Sequence, residues 1–400
     1  MSEAVEVAPI DPGQLLSTFD QYDPRHVQVM HEVLAHARDR CPIFRTTAEP
    51  GYWIVTRYAD AKTILFDPET FSNRNGVTVH GISEPRPLPA ASDPPLHKQY
   101  RDLLRPYFTQ QAIGAFEPRL RELARELMKP WLHTGRVEFV KDYAAKLAYA
   151  SLFAAFLHSS DAADIERFVE GADRIVQEST QDAYAHLMGL VQELLRKRRA
   201  SGTDVDDMVG AVEAGTVDGR PLTENEKIGM IFSAVAAGFE TNYATMALIM
   251  HQVVQHPELE ARITGADWAQ RHLPEFMRFV SPVTGLIRTA EKDVEMAGAR
   301  IRAGDLVLIH YASVDRDEQQ YPDPGTLDFT RRNAGTHMAF SYGVHRCLGA
   351  PFVDVLVGIG LDELTRRATN FRLADPGAPI PYTTGVVCRP ERLDLEFDLV

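Results

Sequence analysis

Phe340-Ser341-Tyr342-Gly343-Val344-His345-Arg346-Cys347-Leu348-Gly349 is the stretch that decides the reading of this chain. A lone cysteine flanked by glycines and a histidine reads as a thiolate offered to an iron. Gly343 and Gly349 lack the Cβ that would obstruct a backbone turning tightly beside a flat ring. A thiolate donates electron density to iron and favours O–O cleavage, and backbone N–H groups around the sulfur temper its charge. The competing reading of a single cysteine is a small buried apolar side chain. A zinc site would need more ligands at short spacing than His345-x-Cys347 supplies.

The surrounding chain has 400 residues, 44% hydrophobic and 24% charged, the make-up of a globular protein with a sizeable core. A formal net charge of -14 argues against wholesale binding to nucleic acid or to an anionic membrane. Three scattered cysteines, Cys41, Cys347 and Cys388, do not make a disulfide framework and fit a reducing cytoplasm. The start, Met1-Ser2-Glu3-Ala4-Val5-Glu6, is acidic with no apolar run, so neither a signal peptide nor a membrane anchor is expected there.

Residues 1–25 read as an irregular lead-in, and Gly51–Val55 as a short strand of bulky and β-branched residues. Residues 72–96, rich in Pro, Gly, Ser and Asn, read as a long loop of the functional kind. From 112 to 256 apolar residues recur at helical spacing. Within that stretch Thr223 and Glu226 form a capping box, and the pattern runs on to Pro257. The helix is apolar on most faces and is expected to cross the interior. Strand-like pieces follow near 286–290, 293–296, 299–302 and 306–309, with turns at Gly298 and Gly304. Residues 318–340 read as ordered coil, 350–369 as a helix, and Leu393–Phe397 as a strand. No linker divides the chain, so one mainly α domain with small peripheral β-sheets is expected over 1–400.

The ten-residue run resembles the haem-ligand signature of the cytochrome P450 family, Phe-x-x-Gly-x-x-x-Cys-x-Gly, at all four fixed positions: Phe340, Gly343, Cys347 and Gly349. The resemblance extends over roughly residues 40 to 400. Glu275-Phe276-Met277-Arg278 resembles the family's Glu-x-x-Arg helix, and Arg331 the arginine that completes that structural network. Ala237-Gly238-Phe239-Glu240-Thr241 resembles the oxygen-activation segment. There the resemblance implies that Ala236, Ala237 and Gly238 leave room for a flat cofactor and a diatomic ligand. It further implies that Thr241 hydrogen-bonds at oxygen and that Glu240 feeds protons inward. Back-bonding of Thr241 to the preceding turn is the plainer alternative. His97 and Arg101, with Arg288 and His345, match positions that hold the haem propionates.

The fold implied is the triangular helical prism of the soluble bacterial members. The cofactor implied is haem b, with Cys347 as the iron ligand. The reaction implied is insertion of one atom of O2 into a small to medium hydrophobic organic molecule, terpenoid or aromatic. Electrons would come from NAD(P)H through a ferredoxin and its reductase. A peroxide-driven peroxygenase and a non-catalytic haem-thiolate sensor are the alternatives, and the Glu240-Thr241 pair argues against both. The substrate wall is expected to include Ala236, Val283, Thr284, Leu286, Val386 and Val387, with Thr383 and Thr384 as further polar handles. Lys98, Arg105 and Arg346 are expected to form a basic patch for the electron donor. The sequence departs from the family at Asp354, where a cation is common, and at Asn242, which stands where Thr or Ser is common.

Overall fold

The computed structural model describes residues 11–81, 84–157, 162–178, 181–201 and 207–400. The first ten residues of the expected lead-in, positions 82 and 83 of the expected loop, and parts of the expected helical stretch lie outside the described residues.

The helix Glu224–Gln255 organises the molecule. Thr223 Oγ1 accepts from the Glu226 N–H, and the Glu226 side chain accepts from the Thr223 N–H, so both expected capping bonds form. Glu226 does more than cap. Its carboxylate also accepts from Arg220 and from the Tyr100 hydroxyl at 2.6 Å, tying in the helix Leu96–Leu104. From Asn242 to His251 every residue of the long helix is buried, so that half crosses the interior as expected. Its partners there include the helix Lys146–Leu152 and the turn Phe153–Leu157, where Tyr149, Phe153, Phe239 and Tyr243 stack and tilt against one another. Between 233 and 241 one face of the helix is different. Ala237 is exposed and Thr241 half-exposed, while Val235 and Phe239 on the other face are buried.

The main sheet has five strands, ordered Ile43–Thr46, Tyr52–Val55, Leu306–Ile309, Leu286–Ala290, Phe71–Ser72. Its one parallel pair sets Trp53 against Val307. The antiparallel partner sets Arg288 against Val307 from the other side, which fixes Arg288 in the middle of the sheet. The hairpin Val294–Met296 with Ala299–Ile301 turns at Gly298 as expected.

Two expectations need correction. The lead-in is not wholly irregular: Asp11 caps a short helix Pro12–Leu15, and Asp23 caps the helix Pro24–Arg40. The helix expected over 350–369 stops at Thr365. Ala368–Leu373 is instead a strand, pairing with the tail strand Asp394–Leu399. Long-range pairing overrides helical spacing there, and Asn370 takes a left-handed φ of 56° at the irregular register. Among the described residues no helix is long and apolar enough to cross a membrane.

Candidate active site

Cys347 is held by its own loop and by the helix that follows. Its N–H donates to Phe340 O at 2.8 Å, closing the ten-residue run into a compact turn. Phe340 itself is half-buried against the core. The helix Ala350–Thr365 starts three residues beyond the sulfur. Burial raises the thiol pKa above its ordinary value, while the N–H groups of Gly349 and Ala350 and the cations Arg101 and Arg346 oppose that rise. The cysteine has accessible surface, yet protein surrounds it closely enough for desolvation to dominate. The two facts agree when the sulfur faces an internal space rather than bulk water.

The two loop glycines serve different purposes. Gly343 has φ 68°, and a Cβ there would stand 2.1 Å from the Leu65 carbonyl oxygen. Among protein atoms, glycine is required at 343 by the close approach of the Leu65 carbonyl at the end of the helix Tyr58–Leu65. A Cβ at Gly349 would meet Cys347 Sγ and Phe108 at 3.9 Å, ordinary contact among protein atoms.

Next to the sulfur the structure gathers four basic side chains from three segments. His97 and His345 lie against each other with ring centroids 4.2 Å apart and the rings tilted by 55°. Arg101, one turn after His97, donates through Nη2 to Arg346 O at 2.5 Å. Arg288 is 2% exposed. Burial first, then Arg288, His97 and Arg101, pull the His345 pKa far down. Burial and Arg101 bring His97 to about 4, with Asp93 opposing. Arg101 is lowered by burial, and Cys347 acts against that. None of the four has an ion pair with a carboxylate among the described residues, and His345 Nε2 is buried with no partner. Such a cluster is costly alone and is matched by a dianionic group. The thiol beside it, and the accessible Ala237 on the long helix, suit a flat iron-bearing ring. The residues present therefore fit haem. Among the described residues no group of three or more His, Cys, Asp or Glu could hold a bare metal ion.

On the long helix, Thr241 Oγ1 donates to Ala237 O at 2.7 Å, so the back-bonded alternative is the rotamer adopted. Thr245 repeats the pattern on Thr241 O at 2.7 Å. Gly238 does not face an open space. A Cβ there would lie 2.4 Å from Leu152 Cδ1, so glycine permits the close crossing of the two helices. Asn242 is buried and donates to Gly238 O. Glu240 is 19% exposed and lies 3.4 Å from Arg389 Nε. Arg389, absent from the sequence reading, is fixed in turn. Its Nη2 donates to the Tyr243 hydroxyl at 2.9 Å, and its guanidinium stands over the Tyr243 ring at 4.6 Å.

The Glu-x-x-Arg network assembles as expected. Arg278 Nε and Nη2 form a two-pronged bond with Glu275 at 2.8 and 2.7 Å, and Arg331 Nε reaches the same carboxylate at 3.3 Å. Arg278 also donates to Asp315 O, Pro324 O and Thr326 O, pinning the coil that leads to the cysteine loop.

The expected substrate wall is drier than its sequence suggests. Val283 pairs with Val387 in an isolated bridge, and Val283, Leu286, Val386 and Ala236 are half-buried. Thr284 is buried and its hydroxyl donates to Gly385 O at 2.5 Å. Thr383 donates to Val387 O at 3.0 Å. Two of the expected polar handles are thus committed to the backbone. The basic patch is also altered: Lys98 and Arg105 both engage Asp102, so neither is an unpaired cation. Arg346 remains exposed, and burial opposed by Arg346 raises the Asp354 pKa to about 6.

Comparison with known proteins gives one answer. The family model described as Cytochrome P450 matches residues 269–397. A protein named Probable cytochrome P450 127A1, from Sinorhizobium fredii, is 31% identical over 86% of this chain and 84% of its own length. Mycinamicin IV hydroxylase/epoxidase from Micromonospora griseorubida is 30% identical over 84% of this chain and 87% of its own. The crystal structure titled as a post-tailoring hydroxylase, HmtN, involved in himastatin biosynthesis superposes with a TM-score of 0.81 at 27% identity. It covers 92% of this chain and 97% of that one. This chain belongs to the cytochrome P450 family of haem-dependent monooxygenases.

Proposed function

We propose that the protein hydroxylates or epoxidises a small to medium hydrophobic molecule, terpenoid or aromatic, with Cys347 as the iron ligand and electrons delivered by a ferredoxin and its reductase. The observation that carries the reading is the unpaired basic cluster His97, Arg101, Arg288 and His345 beside a thiol at a helix start. Haem bound there supplies the activation of O2.

The chain's own groups have separate tasks. Arg101 and Arg288 supply the charge that binds the propionates, and the neutral His97 and His345 add N–H hydrogen bonds to them. The Gly349 and Ala350 N–H groups hold charge on the Cys347 sulfur. Thr241 Oγ1 spends its proton on Ala237 O, so its lone pairs remain to accept a proton donor on the accessible face. Glu240 holds an exchangeable proton site one residue away, with Arg389 fixing its carboxylate. The apolar Val283, Leu286 and Val386 exclude water and receive an apolar face of the substrate. A hydrophobic substrate is further supported by the commitment of Thr284 and Thr383 to backbone carbonyls. The relatives' names, a mycinamicin hydroxylase and a himastatin tailoring enzyme, point to secondary metabolites as the pool to screen.

The test is spectroscopic. The haem-loaded protein, reduced under carbon monoxide, is expected to show the red-shifted Soret band of thiolate ligation, and Cys347→Ser is expected to lose it. Retention of the shifted band by Cys347→Ser would overturn the ligand assignment. Thr241→Ala is expected to raise reductant use per product, because a positioned proton-transfer contact is lost. An unchanged ratio would remove Thr241 from the proton path.

A further inference from the structure

A pocket of about 110 Å³, none of whose lining residues belongs to the cysteine loop, opens beside the exposed His31. Its lining includes the apolar Met30, Leu248, Phe279 and Val280 and the polar Arg316, His31, Gln252 and Tyr382. Arg316 is the one formally charged side chain in its lining, and no acidic residue lines it.

Arg316 is short of partners. Its Nη2 donates to Phe279 O at 3.2 Å and its guanidinium stacks on the Phe279 ring at 4.3 Å. Its Nε is buried with no hydrogen-bond partner, and it has no ion pair among the described residues. Asp315 offsets part of its charge through space but forms no ion pair with it, and the neighbouring arginines oppose it. Arg278 is paired with Glu275, and Arg38 with Glu318. The adjacent Asp315 is committed to the Ser281 hydroxyl at 2.7 Å and the Met338 N–H at 2.6 Å. Burial, with Arg278 and Arg38, lowers Arg316 only to about 10, so it stays cationic at neutral pH. His31, also in the lining, has its pKa lowered by desolvation and then by Arg316, so it offers Arg316 no counter-charge. A buried cation wants either a counter-ion or several waters.

Size and polarity together choose the occupant. The space is smaller than the roughly 150 Å³ that accepts benzene, and would hold about three to four waters. One positive charge calls for one negative charge, and the apolar part of the lining calls for a short hydrocarbon end. We propose that this cavity is a binding site for a short-chain monocarboxylate, with the carboxylate on Arg316 and the alkyl end against Leu248 and Val280. Thr284 also lines the cavity while its N–H and hydroxyl bond Val386 O and Gly385 O. Of the expected substrate-wall residues Thr284 alone lines this pocket, and Cys347 and the basic cluster beside it are absent from the lining. The inference does not depend on the iron ligand or on the reaction.

The haem-loaded full chain is titrated with propionate, chloride and sulfate at matched ionic strength, by calorimetry and by thermal unfolding. Propionate is expected to bind saturably and to raise the unfolding midpoint by about 2 °C at ten times its dissociation constant. Chloride is expected to do less, and sulfate nothing specific. Gln252→Glu sets a carboxylate beside Arg316 from within, and is expected to weaken propionate binding at least tenfold. Leu248→Phe fills the alkyl end and is expected to do the same without a change of charge. No saturable propionate effect beyond chloride in the unmodified protein would mean water alone, and would overturn the proposal. Equal binding by both variants and the unmodified protein would place the anion elsewhere and overturn it too.

Discussion

Replacing Glu275 by Gln keeps the shape of a fully buried side chain and removes its charge. Four donors converge on this one carboxylate. Oε1 accepts from Arg278 Nη2 at 2.7 Å, the Asp328 N–H at 2.9 Å and Arg331 Nε at 3.3 Å, while Oε2 accepts from Arg278 Nε at 2.8 Å. An amide has one acceptor oxygen and one N–H2, so at least one arginine donor would face another donor. The Arg278 and Arg331 side chains are 0% and 6% exposed, and both would be left without a counter-charge. Removing one partner of a buried pair costs about 3–5 kcal/mol, dominated by the stranded charge. Urea unfolding of Glu275→Gln, followed by tryptophan emission, is expected to show a loss of that size with an unchanged slope. Haem retention is expected to fall as well, because Arg278 holds Pro324 and Thr326 in the coil that leads into the cysteine loop. A loss below about 1 kcal/mol would refute the reasoning. It would mean that the arginines relax to water or that the carboxylate contributes little to begin with.

Gly343→Ala puts a methyl 2.1 Å from the Leu65 carbonyl oxygen at φ 68°, so one of the two segments must move. The left-handed strain alone is about 1–2 kcal/mol, and the melting temperature and haem-binding stoichiometry are both expected to drop, whereas Gly349→Ala, whose Cβ makes only ordinary contacts with protein atoms, is expected to change the melting temperature of the haem-free protein only slightly. Glu363 gives a pH-dependent case. Burial alone would raise its pKa, but hydrogen bonds from Arg125 and Arg121 bring it down to about 2. A carboxylate depressed in the folded state adds stability that is full above its unfolded pKa of about 4.5 and is lost as pH falls through about 2. With the arginines partly exposed, the contribution is about 2–3 kcal/mol. Glu363→Gln is expected to lower stability by that amount at pH 7 and to leave the protein's stability at pH 2 little changed, as measured by unfolding across the range.

The legible parts of the fold were those written in short spacings. The capping box at Thr223 and Glu226, the i to i+3 pairing of Glu275 with Arg278, and the glycine-marked hairpin at Gly298 each need only neighbours along the chain. The ten-residue cysteine run is of the same kind, and it was enough to fix the fold class. What escaped the sequence depends on distant partners. Arg389 meets Glu240 from the far end of the chain, and nothing near either residue announces the pair. Gly238 reads as clearance for a ligand, but the side chain it accommodates is Leu152. Thr284 and Thr383 read as handles for substrate until their hydroxyl partners are seen. The end of the helix at Thr365 is decided by the tail strand, which helical periodicity cannot register.

The carboxylate of Glu226 makes one anchor of two helices. It caps Glu224–Gln255, which bears Glu240 and Thr241, and it also accepts from Tyr100 on Leu96–Leu104, which bears His97 and Arg101. The proposed proton-relay residues and two of the proposed propionate-binding residues therefore ride on helices that share one anchor. Tyr100→Phe is expected to loosen that shared anchor without touching any of those residues.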